Sequence, residues 1–196
     1  MRSGVEPIEV RGEKVVLREK RISDAMKDYS WATDSELSEL DAASPMRLTF
    51  QQALMMYEEE LSHSSPQRQR FAIDTLGGEH IGNCMFYDLN ESMGETELGI
   101  MIGDRRYWSK AYGTDAVKTL LRYIFTHTKL KRVYLHTLDW NIRAQKSFAK
   151  AGFTPIGPIK KHGLRFVAME VLRPDWELQE QTSTRERQNS SGAKVS

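Results

Sequence analysis

Residues 95–125, ETELGIMIGDRRYWSKAYGTDAVKTLLRYIF, constrain this chain more than any other stretch. Their first part, 96–103, is short, apolar and punctuated by glycine, which predicts a buried strand. Their last part sets Val117, Leu120, Leu121, Ile124 and Phe125 at helical spacing, so a long helix presents one apolar stripe. Between the two lies a basic, small-residue loop, residues 105–114. A helix N-terminus offers backbone N–H groups without intrahelical partners and a positive dipole end. Strand, small-residue loop and helix start therefore outline a cradle for an anion such as a pyrophosphate. The stretch holds neither a Gly-Lys-Ser/Thr triphosphate loop nor three glycines at dinucleotide spacing. Taken alone, an ordinary strand-to-helix turn with solvated charges is the better explanation.

The flanking sequence supplies strands and helices that can pack around this unit. Residues 14–20 (KVVLREK) predict a first strand after a loose polar lead-in, 1–11. Ser23 or Asp24 can cap a helix through Trp31, and a short helix follows at 34–40. Pro45 breaks the loop 41–48, and Thr49 caps a further helix. A meander comes next: 70–76, the Gly77-Gly78 turn, then 80–89 with Gly82 at a bulge. Residues 132–138 alternate as a strand, 141–151 form a helix closed by Gly152, and 153–172 form a hairpin through His162-Gly163. The polar stretch 177–196 lacks periodicity and predicts disorder. One domain, 12–176, of mixed α/β (α+β) class results, with strand 96–103 and strand 132–138 parallel neighbours. A ligand belongs at their C-terminal ends.

Bulk properties narrow the function. The 196 residues carry a net charge of +1, which argues against a dedicated nucleic-acid binder. No run is long and apolar enough to span a membrane, and no apolar leader is visible, so a cytoplasmic location is expected. A single cysteine, Cys84, excludes an internal disulfide and sits among strand hydrophobics, unsuited to nucleophilic work. The five histidines show no metal-ligand spacing, and no metal is expected.

Three stretches in order carry a family resemblance: KVVLREKRISDA at 14–25, RRYWSKAYGTDAVKTLLRYIF at 105–125, and LDWNIRAQKSFAKAGF at 138–153. Together they resemble the GNAT superfamily of acyl-CoA-dependent N-acetyltransferases, in particular its ribosomal-protein N-terminal (Rim-like) branch, over residues 12–173. The resemblance implies a mostly antiparallel sheet of about seven strands, with one parallel pair splayed at the cofactor site and helices on both faces. It also implies acetyl-CoA as co-substrate, bound by Ile100, Met101 and Ile102 on the strand. The loop residues Arg106, Trp108, Ser109, Lys110, Ala111, Tyr112, Gly113 and Thr114 would hold it too, with Asn141 and Lys146 on the following helix. Asn141 is equally suited to cap that helix. Trp31, Asp41, Met46 and Arg47 would wall the acceptor pocket, although plain packing explains Trp31 and a solvated loop explains Arg47.

Two departures stand out. Trp108, Ala111 and Gly113 occupy the family's pyrophosphate-loop positions, and Ser109 stands where the branch often has glycine. Alanine at 111 calls for a negative φ or a slight displacement. Phe148 occupies the position of the family tyrosine that protonates the leaving thiolate, and phenylalanine has no proton to give. Tyr107, Tyr112, Tyr134, Ser147 and His136 are substitutes.

Amine acetylation needs a neutral amine, a polarised carbonyl and an outlet for a proton. Glu97, just before the splay, is the expected base, with Glu95 on the same strand face as fallback and His136 as base or relay. Solvated edge carboxylates and a satisfied strand histidine are the ordinary alternatives. The acceptor stays open between a protein N-terminus and a small amine. A non-catalytic acyl-CoA sensor or interaction module is the competing class, as is an unrelated nucleotide-binding α/β protein. A homodimer through the terminal hairpin is also left open.

Overall fold

The computed structural model describes residues 7–63 and 65–192. Eight strands form one sheet in the order β1-β2-β3-β4-β5-β6-β8-β7. All neighbours are antiparallel except β5 (Glu95–Ile102) and β6 (Arg132–Leu138). These two are parallel because α4 (Tyr112–His127) carries the chain across between them, as the apolar stripe predicted. That stripe is fully enclosed: Val117, Leu120, Leu121 and Ile124 are at most 1% exposed. They pack on Val15 and Leu17 of β2 (Val15–Arg18), Phe71 and Ile73 of β3 (Gln69–Thr75), and Val133 and Leu135 of β6.

β4 (His80–Asn90) pairs along nearly its whole length with β5, and a register shift beside Gly82 marks the expected bulge. A β-carbon on Gly82 would lie 2.2 Å from the Met101 carbonyl oxygen, so the close strand approach there needs glycine. α5 (Ile142–Lys150) packs beside α4, and the hairpin β7 (Thr154–Lys161) and β8 (Leu164–Leu172) closes the far edge through β8. The helices α1 (Ala25–Ala32), α2 (Ser35–Leu40) and α3 (Phe50–Ser62) belong to the other sheet face, where Asp28 of α1 meets Asn83 of β4.

Two boundaries differ from the sequence expectation. The strand count is eight rather than about seven, because β1 (Glu9–Arg11) lies inside the presumed lead-in and pairs with β2. Asp115, on the first turn of α4, fixes this corner by accepting N–H bonds from Glu13, Lys14 and Val15. The expected disordered tail is also corrected: α6 runs Arg173–Gly192. Its start is nucleated by tertiary contacts that no periodicity reveals. Arg173 donates to the Phe125, Thr128 and Leu130 carbonyls, and Trp176 stacks 5.1 Å from Phe125. Glu, Gln and Arg then propagate a helix readily without an apolar face. Among the described residues no helix is long and apolar enough to cross a membrane.

A buried polar cluster, missed by sequence reasoning, joins the two halves of the meander. Arg18 donates bidentately to Asp24 at 2.8 Å and to Asp74 at 2.7 and 3.0 Å. Nearby, Asp28 accepts from Tyr57 at 3.0 Å, Asn83 at 2.8 Å and Lys20, and faces His80 Nε2 at 3.1 Å. Burial alone would raise the Asp28 carboxyl, but His80 and Lys20 outweigh it and hold it far below the ordinary carboxylate range.

Candidate active site

Pairing between β5 and β6 stops early. Only Glu95, Thr96 and Glu97 find partners, at Arg132, Val133 and Tyr134; beyond that rung β6 turns its edge to β8 alone. β5 meanwhile stays paired with β4 out to Ile102. The two parallel strands therefore part like a V, and the β6-facing backbone groups of β5 from Leu98 onward have no strand to bond. An extended, amide-bearing ligand can supply those missing bonds.

A cleft of about 450 Å³ opens from this gap. Ile100, Met101 and Ile102 form its strand wall, as expected, and Trp108, Ser109, Lys110, Ala111, Gly113 and Thr114 its loop wall. α5 contributes Asn141, Arg143, Ala144, Lys146, Ser147, Phe148 and Lys150. The Ile102 carbonyl already accepts the Trp108 indole N–H at 2.6 Å, which fixes the loop against the strand end. Arg143, not foreseen, lies over the same indole at 3.7 Å. Its signal in the sequence was its position two residues after Asn141 on the turn facing the loop. Lys110, Arg143, Lys146 and Lys150 make this end of the cleft cationic.

The loop backbone shows how alanine is tolerated. Ala111 adopts φ +67° and Ser109 φ +57°, both left-handed. The expectation of a negative φ at Ala111 is thus corrected: the chain keeps the glycine-like geometry and carries the strain. Ala111 at the N-cap provides no side-chain acceptor for the first N–H groups of α4, which stay available to an anion. At Gly113 a β-carbon would sit 3.5 Å from Ile102 Cγ1, ordinary contact, so glycine there keeps space rather than conformation. A pyrophosphate with a pantetheine-like arm fits these donors, cations and unpaired strand groups. Asn141 caps α5 by accepting from Ala144 N–H at 3.1 Å, leaving its amide N–H2 without a protein partner.

Where the two strands begin to part, the predicted base and relay meet, although neither is among the residues that line the cleft. His136 Nδ1 lies 2.8 Å from Glu97 Oε1, both groups largely buried. An ionised carboxylate can only accept, so in the neutral imidazole Nδ1 carries the hydrogen and Nε2 is left basic. Lys161 Nζ stands 3.2 Å from the same nitrogen, and the Tyr134 ring lies edge-on at 5.7 Å. Tyr87, opposite Glu97 in the sheet, has its phenol pKa raised by burial and by the Glu97 carboxylate, with Asp88 and Asp41 adding.

Other candidates fall elsewhere. Glu95 is held by Arg132 at 2.6 Å, which also binds Glu170, so it is a strand-edge ion pair. Arg106 is outside the cleft lining, paired with Asp104 at 2.6 Å and with Glu79. Tyr112 contributes its backbone to the helix start while its ring packs on Tyr107. Trp31 is core: it is 8% exposed, and Gly103 is bare because any β-carbon there would fall 2.1 Å from its ring. Met46 is tied by its N–H to Ala32 at 2.8 Å, and Arg47 is exposed; neither lines the cleft. Of the acceptor-pocket set only Asp41 does. Among the described residues no group of three or more His, Cys, Asp or Glu could hold a metal ion.

Residues 14–154 match the family model described as acetyltransferase (GNAT) domain. The chain belongs to the GNAT acetyltransferase family. Membership makes it an acyl-CoA-dependent N-acetyltransferase with acetyl-CoA as co-substrate. An uncharacterized N-acetyltransferase p20 of Bacillus licheniformis is 28% identical over 122 residues, covering 62% of this chain and 68% of the relative. A spermine/spermidine N(1)-acetyltransferase of Bacillus subtilis is 27% identical over 99 residues, covering 48% of this chain and 65% of the relative. The crystal structure of spermidine N-acetyltransferase from Vibrio cholerae, with CoA and spermine, superposes with a TM-score of 0.73 at 18% identity over 83% of this acetyltransferase and 97% of that chain. The fold is the same; the acceptor is not given by it.

Within the acetyltransferase, Phe148 is 9% exposed, lines the cleft and packs 5.9 Å from Phe153. The family's tyrosine position is therefore an apolar wall here. Two hydroxyls lining the same cleft are engaged: Ser147 bonds Thr114 at 2.8 Å, and Tyr107 bonds Glu79 at 2.6 Å.

Proposed function

We propose that this enzyme acetylates a small primary amine in a ternary complex, with His136 and Glu97 as its proton path. The observation that carries this is the Glu97–His136 contact at the vertex where β5 and β6 part. Acetyl-CoA supplies an activated acyl carbon and a thiol leaving group. The loop N–H groups and Lys110, Arg143, Lys146 and Lys150 hold the anionic end. The open backbone of β5 at Ile100–Ile102 holds the arm, and Asn141 adds a donor beside it. The amine nitrogen bonds to the acyl carbon as the carbon–sulfur bond breaks. His136 Nε2 removes one proton from the nitrogen, Glu97 stabilises the resulting imidazolium, and the same proton is the one the departing sulfur needs. Routing it through His136 is consistent with the absence of a hydroxyl at Phe148.

Support for a small-amine acceptor comes from the relatives named for spermine and spermidine. The test is a free-thiol assay with acetyl-CoA and a panel of amines and N-terminal peptides, with mass spectrometry of the products. Thiol release with an acetylated small amine supports the proposal. Acetyl-CoA binding without thiol release across the panel would mark a sensor instead, and exclusive acetylation of peptides would overturn the acceptor class.

A further inference from the structure

The cleft is electrically lopsided. Its loop and α5 end presents lysines and an arginine, whereas the only carboxylate among its lining residues is Asp41, at the C-cap of α2. Among the described residues the Asp41 carboxylate has no hydrogen-bond or ion-pair partner. It is accessible through the cleft mouth, yet the surrounding protein pushes its pKa up to about 6. A helix C-terminus is also the wrong end for an anion, because the dipole there is negative. The protein thus keeps an exposed, unpaired acid at the cleft mouth, where the helix dipole opposes its charge, beside the apolar Leu37 and Leu40. Unpaired charges of this kind are retained where a ligand completes them.

We infer that Asp41 binds a second ammonium group of the acceptor, distinct from the nitrogen that is acetylated, so that the substrate class is aliphatic diamines and polyamines. This rests on the acetyltransfer proposed above. A monoamine would leave Asp41 unpaired at the cleft mouth; a diamine with its far nitrogen on Asp41 would cancel that charge and direct the near nitrogen to the vertex. Glu97, already bonded to His136, is not available for this role.

The experiment compares a series of linear diamines with monoamines of the same length, in the wild type and in Asp41→Asn and Asp41→Glu. The wild type is expected to prefer the best diamine at least tenfold in kcat/KM, mostly through KM. In Asp41→Asn that ratio should collapse toward one, and Asp41→Glu should recover part of it with a changed length optimum. A wild-type ratio near one, or an unchanged ratio in Asp41→Asn, overturns the inference while leaving acetyltransfer standing. Failure of the wild type to acetylate any amine overturns the function beneath it. Folding of each variant is checked by its thermal melting in the same buffer.

Discussion

His136 Nδ1 and Glu97 Oε1 lie 2.8 Å apart although the pairing of their strands ends at Glu97 and Tyr134, two residues before His136. The contact bridges the opening of the V from its closed end. It places a carboxylate–imidazole couple where the two strands part, and leaves the outer imidazole nitrogen without a partner among the described residues.

Replacing His136 by Gln should therefore lower kcat by about 10²–10³-fold, the usual size of a lost general base. Affinity for acetyl-CoA, measured by titration calorimetry, should stay as in the wild type. Glu97→Gln, which keeps the contact but not the charge, should cost less. Added imidazole should restore part of the rate in a His136→Gly variant; wild-type turnover in His136→Gln would remove the histidine from the mechanism.

The left-handed alanine offers a stability test. At φ +67° the Ala111 side chain costs about 1 kcal/mol that glycine would not. Ala111→Gly should raise the melting temperature by about 2–4 °C in a chain of this size. A lower melting temperature would mean that the loop is not strained at this residue.

Gly103 and Trp31 form a second close pair. Gly103→Ala pushes a methyl into a buried ring at 2.1 Å and should destabilise by about 1–3 kcal/mol. Trp31→Leu in the same background should recover part of that loss, giving a coupling energy in a double-mutant cycle. Strict additivity in chemical denaturation would show that the two do not touch.

The Arg18 cluster predicts how stability follows pH. Burial alone would raise Asp24 and Asp74, but Arg18 bonds to the first, and His80 with Arg18 to the second, hold both carboxyls low. With Asp28 also depressed, three groups release protons more readily folded than unfolded. Their stabilisation is complete above the unfolded carboxylate pKa, about 4, and is lost as pH falls below it. His80 runs the other way: Asp28 and Asp74 outweigh its desolvation and raise its pKa, so its share is present below about pH 6.5 and fades as pH rises through the folded value. Denaturation midpoints should drop steeply below pH 4. Arg18→Met, which strands two buried carboxylates, should cost about 3–5 kcal/mol at pH 7, and that deficit should shrink in acid.

Much of this architecture was readable in order. The apolar stripe of α4, the Gly77-Gly78 and His162-Gly163 turns and the parallel β5–β6 relation follow from local spacing and turn chemistry. So does the anion cradle, because a helix start after small residues exposes N–H groups whatever lies around it. Trp31 shows the limit: an aromatic in the first helix reads alike as pocket wall or core, and only its packing on Gly103 decides. Arg106 and Lys110 are equally basic in sequence, yet Asp104 and Glu79 take one and leave the other on the cleft.

By itself the sequence determined the elements, their order and the nucleotide-binding outline, since periodicity, capping and glycine act over a few residues. The tertiary structure alone decided which charges meet. Residues 18, 24, 28, 74 and 80 become one cluster, residues 97 and 136 become one couple, and Asp41 is left without a partner at the cleft. Electrostatic pairing depends on distance in space, and a chain of side chains written in order does not contain that distance.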